Sequence, residues 1–265
     1  MRPIVLFDMD GTLTPVRQKI QPEMISSLLK LSMISDIGIV TGSGQDYLRE
    51  QCNDLINHKS PGLKKSITLL PCNGTQKLTY NAKKKDWNLD SAVKMIDELS
   101  KSAFDKLIKV LLELQLEVAS KEEYSMIPLT GNFISYRGSM INWCPMGRDA
   151  SLDDRQVFEK ADKKFSLRKG LVDKFETSIR HANICGIVSA LGGNTSIDIY
   201  PTGWDKTYSL RHVNSDSVWF VGDRCLPGEN DYSLYQYLKS DRRSFRTSSP
   251  QETSLIIKDI ISLLP

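Results

Sequence analysis

The chain has 265 residues, 40% hydrophobic and 25% charged, ordinary values that exclude intrinsic disorder and fibrous classes and leave length for one large domain or two moderate ones. Lys and Arg number 35 against 32 Asp and Glu, a net charge of +3. That is far from the basic stripe of a nucleic-acid binder, and no apolar run approaches the ~18 residues of a membrane span, so neither nucleic acid nor membrane is an expected partner. Five cysteines, Cys52, Cys72, Cys144, Cys185 and Cys225, are odd in number, widely spaced and without a C-x-x-C pair. The pattern predicts reduced thiols, no zinc site and a cytoplasmic protein, as does the lack of a charged leader before the first predicted strand.

Residues 4–7, Ile-Val-Leu-Phe, read as a strand buried on both faces, the kind found in parallel sheets. The strand runs into Asp8-Met9-Asp10-Gly11-Thr12-Leu13. Residues 21–31 carry Met24, Leu28 and Leu31 at helical spacing, and 37–40 form a second apolar strand ending in Thr41-Gly42-Ser43-Gly44. A strand, a helix and a strand make a right-handed crossover that brings both strand ends to one sheet edge, where open α/β sheets bind ligands. Thr41 is thereby placed to hold phosphate oxygens. Ser43 suits that role and the capping of a helix over 45–52 equally well.

Residues 66–87 read as short strands broken at Asn73-Gly74 and around Asn81, and the basic clusters at 83–85 and 163–169 read as solvated turns. The segment 91–116 is long and amphipathic, consistent with one or two helices over a second core. An inserted domain is therefore expected over 86–202, with 1–85 and 203–265 forming the first. Within the insertion, 132–137 and 140–144 read as a hairpin, Ser151 as the cap of a helix with Asp154 three residues on, 171–179 as an amphipathic helix, and 187–191 with 195–200 as a strand pair. Helices on one face of an antiparallel sheet make an α+β domain. Lys206 opens a helix, 217–223 is another apolar strand ending on a carboxylate, Asp223, and 254–264 is a closing helix.

Two carboxylates as close as Asp8 and Asp10 in a buried crevice call for a proton or a hard cation such as Mg²⁺, although Asp and Gly also begin plain surface turns. The string D-x-D-G-T-L after an apolar strand resembles the signature of the haloacid dehalogenase (HAD) superfamily of phosphotransferases. That resemblance implies a Rossmann-like α/β core with a parallel sheet and an inserted α+β cap. It casts Asp8 as the nucleophile that forms an aspartyl-phosphate and Asp10 as the acid and base. Mg²⁺ would be held by Asp8, the Asp10 carbonyl and Asp223, with Lys206 as a second positive charge.

The resemblance narrows further along the chain. Thr14-Pro15-Val16-Arg17-Gln18-Lys19-Ile20, the segment 137–155, Trp204-Asp205-Lys206, and Gly222-Asp223 through Asn230-Asp231 are similar to the phosphomannomutases of that superfamily, the type best known from eukaryotes. This implies substrate binding by Arg17, and a grip on the phosphate not being transferred by Arg137, Arg148 and Arg155, helped by Ser196. Asp198 would accept from sugar hydroxyls. A guanidinium fork suits a phosphate dianion and stays charged at any working pH. The implied activity is interconversion of mannose 6-phosphate and mannose 1-phosphate through a hexose 1,6-bisphosphate, in the supply of GDP-mannose. A homodimer through the cap is implied as well, for which the apolar face of 91–116 could serve, but a buried core face explains that pattern equally. Thr41, Gly44 and Cys72 depart from the family's G-G-S-D and E-N-G strings. Thr41 is closer to the general phosphatase pattern, so a sugar-phosphate phosphatase is the rival enzyme, and a phosphosugar-sensing module the non-catalytic one.

Overall fold

The computed structural model describes residues 2–213 and 217–264. The strands in chain order are β1 (Ile4–Phe7), β2 (Asp36–Val40), β3 (Ile67–Leu70), β4 (Gln76–Asn81), β5 (Asp86–Ala92), β6 (Ile134–Tyr136), β7 (Ile141–Trp143), β8 (Ile187–Gly192), β9 (Ser196–Pro201), β10 (Val218–Gly222) and β11 (Ser244–Arg246). They form two sheets, one in each of two compact units, Met1–Ala92 with Gly203–Pro265, and Val93–Thr202. The sheet strand β5 pairs antiparallel with β4 and carries the first unit through Ala92. The boundary expected at residue 85 therefore falls too early, because alternation in Asp86–Ala92 extends a hairpin of the first sheet before the helical pattern begins.

The first unit holds a seven-stranded sheet in the order β11-β10-β1-β2-β3-β4-β5. β1 lies in its interior, parallel to its neighbours β10 and β2, with Leu6 opposite Phe220 and Gly38. Val5, Leu6 and Phe7 are completely buried, as a strand between two parallel neighbours requires, and full burial of each such side chain is worth about 1.5–3 kcal/mol of transfer free energy. Helix Pro22–Leu31 turns Met24, Leu28 and Leu31 into the core and crosses from β1 to β2. Because β1, β2 and β10 run the same way, Asp8, Thr41 and Asp223, each the residue following its strand, emerge at one edge of the sheet.

The second unit holds the four-stranded antiparallel sheet β6-β7-β9-β8 and the helices Lys101–Ser120, Leu152–Phe165 and Leu167–His181. The Ser151 hydroxyl and the Asp154 carboxylate form the reciprocal cap expected at the helix start. Helix Lys101–Ser120 buries Leu107, Val110, Leu111, Leu114 and Val118 in its own unit. A core face thus accounts for most of its apolar residues, leaving Leu112 and Leu116 exposed. Gln115 ties this helix to the sheet, accepting from Trp143 Nε1 at 2.7 Å and donating to the Pro145 carbonyl at 3.0 Å.

Candidate active site

The polar centre of the first unit is built on strand ends. Asp8 continues the parallel ladder, its N–H donating to the Val221 carbonyl at 2.9 Å, so its carboxylate is held at the sheet edge. Gly11 turns the chain with φ +85°, and a Cβ there would overlap the Asp223 carboxylate. Only glycine lets the loop after β1 pass so close to the acid after β10. Lys206 begins a 3₁₀ turn (Lys206–His212) capped by Asp205, whose Oδ1 accepts from the Thr207 N–H at 2.8 Å. The lysine is completely buried and its Nζ donates to both Asp8 Oδ1 and Asp231 Oδ1.

Asp8, Asp223 and Asp231 each offer an oxygen within 4.8 Å of the others. Asp231 Oδ2 also accepts from the Arg224 N–H at 3.0 Å, while buried Asp223 Oδ1 has no hydrogen-bond partner among the described residues. Were all three carboxylates ionised against one ammonium, two negative charges would remain, and burial makes that state costly. Burial, reinforced by Asp231, raises the Asp223 carboxyl to about 7. Burial likewise raises Asp8 well above the usual carboxylate range although Lys206 opposes it. Burial pulls Lys206 down, but Asp231 and Asp8 more than offset it and the net shift is upward, so the ammonium persists far above neutral pH. An orphaned carboxylate oxygen beside two further acids that resist ionising together fits a hard divalent cation.

Asp231 was passed over as a site residue by sequence reasoning, although the string G-D-x(7)-D ends on it. Read as a loop acid, it gives no sign of pairing until Lys206 is placed beside it. The Asp10 side chain, by contrast, is not part of the acid cluster. Its Oδ1 accepts from the Arg17 N–H at 2.9 Å and from Gln51 Nε2 at 3.1 Å, which leaves the backbone carbonyl as the expected ligand atom of that residue. Arg17 itself is exposed, with φ 59° and its guanidinium 6.0 Å from the centre of the Tyr47 ring.

Thr41 is buried, and its Oγ1 accepts from the Ser43 N–H at 3.1 Å. Ser43 does not cap the following helix: Gly44 occupies that position and no side chain caps it. Cys72 and Asn73, both at positive φ, hook back onto this loop through Cys72 N–H to the Ser43 carbonyl and Asn73 N–H to the Thr41 carbonyl. Asn73 Nδ2 reaches the Trp204 carbonyl at 3.2 Å, which ties the loop after β2 to the segment that carries Lys206.

The second unit has its own polar cluster. Asn142 on β7 donates from Nδ2 to Ser196 Oγ at 2.8 Å and to Asp198 Oδ1 at 2.6 Å, and its Oδ1 accepts from Arg148 Nη1 at 2.6 Å. Arg155 is buried, its Nε, Nη1 and Nη2 donating to the Ala150 carbonyl, Thr195 Oγ1 and the Arg148 carbonyl. Arg168, paired with Asp162 at 2.7 Å, donates to the carbonyls of Gly193 and Ser196 and holds the β8–β9 turn. At Gly192 a Cβ would overlap the Asp198 carboxylate, so that acid packs directly on the β8 backbone. Arg137 follows β6, its N–H donating to the Met140 carbonyl. Arg148, Ser196 and Asp198 are thus brought together through Asn142, with Arg155 beside them by way of Thr195. Neither Asn142 nor Arg168 was singled out from the sequence, because an Asn inside an apolar strand and an Arg in a basic run carry no spacing signal.

A family model described as eukaryotic phosphomannomutase matches residues 24–263. The chain is 31% identical over 265 residues to a phosphomannomutase of Schizosaccharomyces pombe, covering 98% of this chain and 95% of the relative. It is 34% identical over 259 residues to one of Encephalitozoon cuniculi, covering 94% and 90%. Among solved structures, an IMP-nucleotidase of Plasmodium falciparum is similar with a TM-score of 0.67 and 16% identity, over 98% of this chain and 68% of that one, a likeness of HAD-type fold alone. With the family model matching from residue 24 to residue 263 and relatives that share one name covering nearly the whole chain, the chain belongs to the eukaryotic phosphomannomutase family.

Proposed function

We propose that the chain interconverts D-mannose 6-phosphate and D-mannose 1-phosphate by way of an aspartyl-phosphate on Asp8 and a hexose 1,6-bisphosphate, supplying mannose 1-phosphate for GDP-mannose in the cytoplasm. The observation that carries this reading is the pairing of buried Asp8 with buried Lys206 at the end of the first strand, beside Asp223 and Asp231, in a chain of this family. Asp8 attacks phosphorus. Asp10 protonates the departing sugar oxygen and later takes a proton from the incoming hydroxyl, an arrangement that typically contributes about 10²- to 10⁴-fold. Lys206, kept charged and immobile by Asp231, offsets charge on the transferring group.

Mg²⁺, held by Asp8, Asp223 and the Asp10 carbonyl, would supply Lewis-acid neutralisation of the phosphoryl oxygens. Arg17 and the loop of Thr41 and Ser43 bind substrate on the first unit. On the second unit Arg137, Arg148 and Arg155 with Ser196 hold the other phosphate, and Asp198 accepts from sugar hydroxyls. Since both phosphate positions of the sugar must react in turn, that grip has to accept either one. Among the described residues no helix is long and apolar enough to cross a membrane, and the five cysteines are unpaired. A homodimer through the cap is part of the proposal, with exposed Leu112 and Leu116 available to it.

The test is a coupled assay of purified protein with mannose 1-phosphate, Mg²⁺ and a catalytic amount of glucose 1,6-bisphosphate, following mannose 6-phosphate and inorganic phosphate together. Isomerisation that depends on the bisphosphate and outpaces phosphate release is expected. Phosphate release without isomerisation would make the chain a phosphatase and end this reading.

A further inference from the structure

Asp10 does not set its own orientation. Besides the Arg17 N–H, the donor on its Oδ1 is Gln51 Nε2 at 3.1 Å. Gln51 is the last residue of helix Gln45–Gln51, 3% exposed, and its backbone carbonyl accepts from the Ile20 N–H at 2.9 Å. Its side-chain carbonyl accepts from the Thr14 hydroxyl at 3.0 Å, and that hydroxyl lies 3.2 Å from the Met9 carbonyl. The Thr14 hydroxyl and the Asp10 carboxylate orient the amide together: with Oε1 accepting from Thr14, the NH₂ group is turned to Asp10 Oδ1. An amide cannot ionise, so it remains a donor at every working pH.

We propose that Gln51 is a positioning residue for the proton transfer at this site, an assignment that rests on the aspartyl-phosphate reading above. Two donors on Oδ1 leave Oδ2 as the oxygen that carries and delivers the proton. When an Asp8 carboxylate oxygen bonds to phosphorus, the phosphorus–oxygen bond to the sugar breaks with its electron pair on the sugar oxygen. The proton on Asp10 Oδ2 moves to that oxygen, leaving an aspartyl-phosphate, a sugar hydroxyl and the Asp10 carboxylate. Thr14 and Gln51 act one step back from this transfer, holding the carboxyl so that Oδ2 meets the departing atom. The Arg17 N–H on the same Oδ1 joins the acid to the loop whose side chain is expected to bind sugar.

The discriminating experiment compares two phosphoryl donors. Labelled glucose 1,6-bisphosphate leaves as a sugar alkoxide that needs a proton, whereas acetyl phosphate leaves as acetate, which needs none. Rates of enzyme phosphorylation by each are measured for the wild type, Gln51→Leu and Thr14→Val, with melting temperatures alongside. Gln51→Leu is expected to slow phosphorylation by the bisphosphate about 10- to 100-fold while acetyl phosphate changes by less than about 3-fold, and Thr14→Val to give a smaller loss with the same selectivity. Equal losses with both donors in either variant, or no loss with either donor, would overturn the assignment and reduce Gln51 to a packing role. A wild type that takes no phosphate from either donor would overturn the proposed function itself.

Discussion

The polar clusters of the two units are built on opposite principles. In the first unit Asp8, Asp223 and Asp231 crowd around one lysine, with Asp223 Oδ1 buried and without a hydrogen-bond partner among the described residues. In the second, Arg148, Asn142, Ser196 and Asp198 complete one another, and Arg155 is bonded through all three guanidinium nitrogens. A cluster of crowded acids is relieved when something positive arrives, which suits it to the cation proposed there. A cluster whose bonds are already made is a rigid frame, and the phosphate proposed for it would enter by exchanging internal partners. Its contribution is orientation rather than charge.

The largest effect belongs to the nucleophile. Asp8→Asn should lower mutase turnover by at least about 10⁴-fold, measured in the coupled assay. Because burial and its acidic neighbours hold the Asp8 carboxyl against ionising, the same variant should melt higher than the wild type in EDTA, and Mg²⁺ should narrow the gap by stabilising the wild type. A lower melting temperature would mean that Lys206 more than compensates the crowded acids.

Next comes a contrast inside the acid cluster. Asp231→Asn removes a buried partner of Lys206 and should destabilise the fold by about 3–5 kcal/mol, the usual range for breaking a buried ion pair. Asp223→Asn, at the orphaned oxygen, should not destabilise the metal-free protein. Chemical denaturation of both variants in EDTA reads this directly. If both fall equally, Asp223 is as much a structural partner as Asp231.

Arg148→Ala addresses the second unit. Loss of about 10²-fold in kcat/KM for mannose 1-phosphate is expected, with labelling of Asp8 by acetyl phosphate unchanged. Equal loss of both would show that Arg148 acts on the chemical step or on folding instead of on the sugar's second phosphate.

How much of this could be read from the chain depends on where each contact partner lies. Asp8, Asp10 and Gly11 sit within four residues of one another after an apolar strand, so the turn and its chemistry are local. The central sheet was legible for the same reason, since β1, β2 and β10 are short apolar runs that each end on a polar residue. Asp231 pairs with Lys206 across 25 residues and Asn142 with Asp198 across 56, and no periodicity encodes such meetings. Gln51 carries no local signal, because nothing in its neighbours predicts that Thr14, 37 residues away, will bond to it. The domain boundary was misplaced for a different reason: β5 carries mostly polar residues on an exposed edge of the sheet, so its composition resembles a linker.

The smallest effect concerns His212, whose Nε2 lies 2.8 Å from the Gly74 carbonyl and so carries the proton. Burial lowers this ring below its ordinary 6.5. As pH falls through 6.5, the unfolded chain therefore takes up a proton that the folded chain resists, and stability is lost. His212→Gln keeps a donor for the carbonyl but cannot titrate. Between pH 7 and 5.5 its melting temperature should decline slightly less than that of the wild type, and an identical decline would remove His212 from the pH response.

The most direct single measurement locates the phosphate. After incubation with glucose 1,6-bisphosphate and Mg²⁺, acid quenching and borohydride reduction convert a phosphorylated aspartate to homoserine, which peptide mass spectrometry assigns to a position. Conversion at Asp8, absent in Asp8→Asn and dependent on the bisphosphate, is the expected result. Conversion at Asp10, Asp223 or Asp231, or at no aspartate while isomerisation proceeds, would contradict a phosphoryl-transfer centre built on the first strand's end.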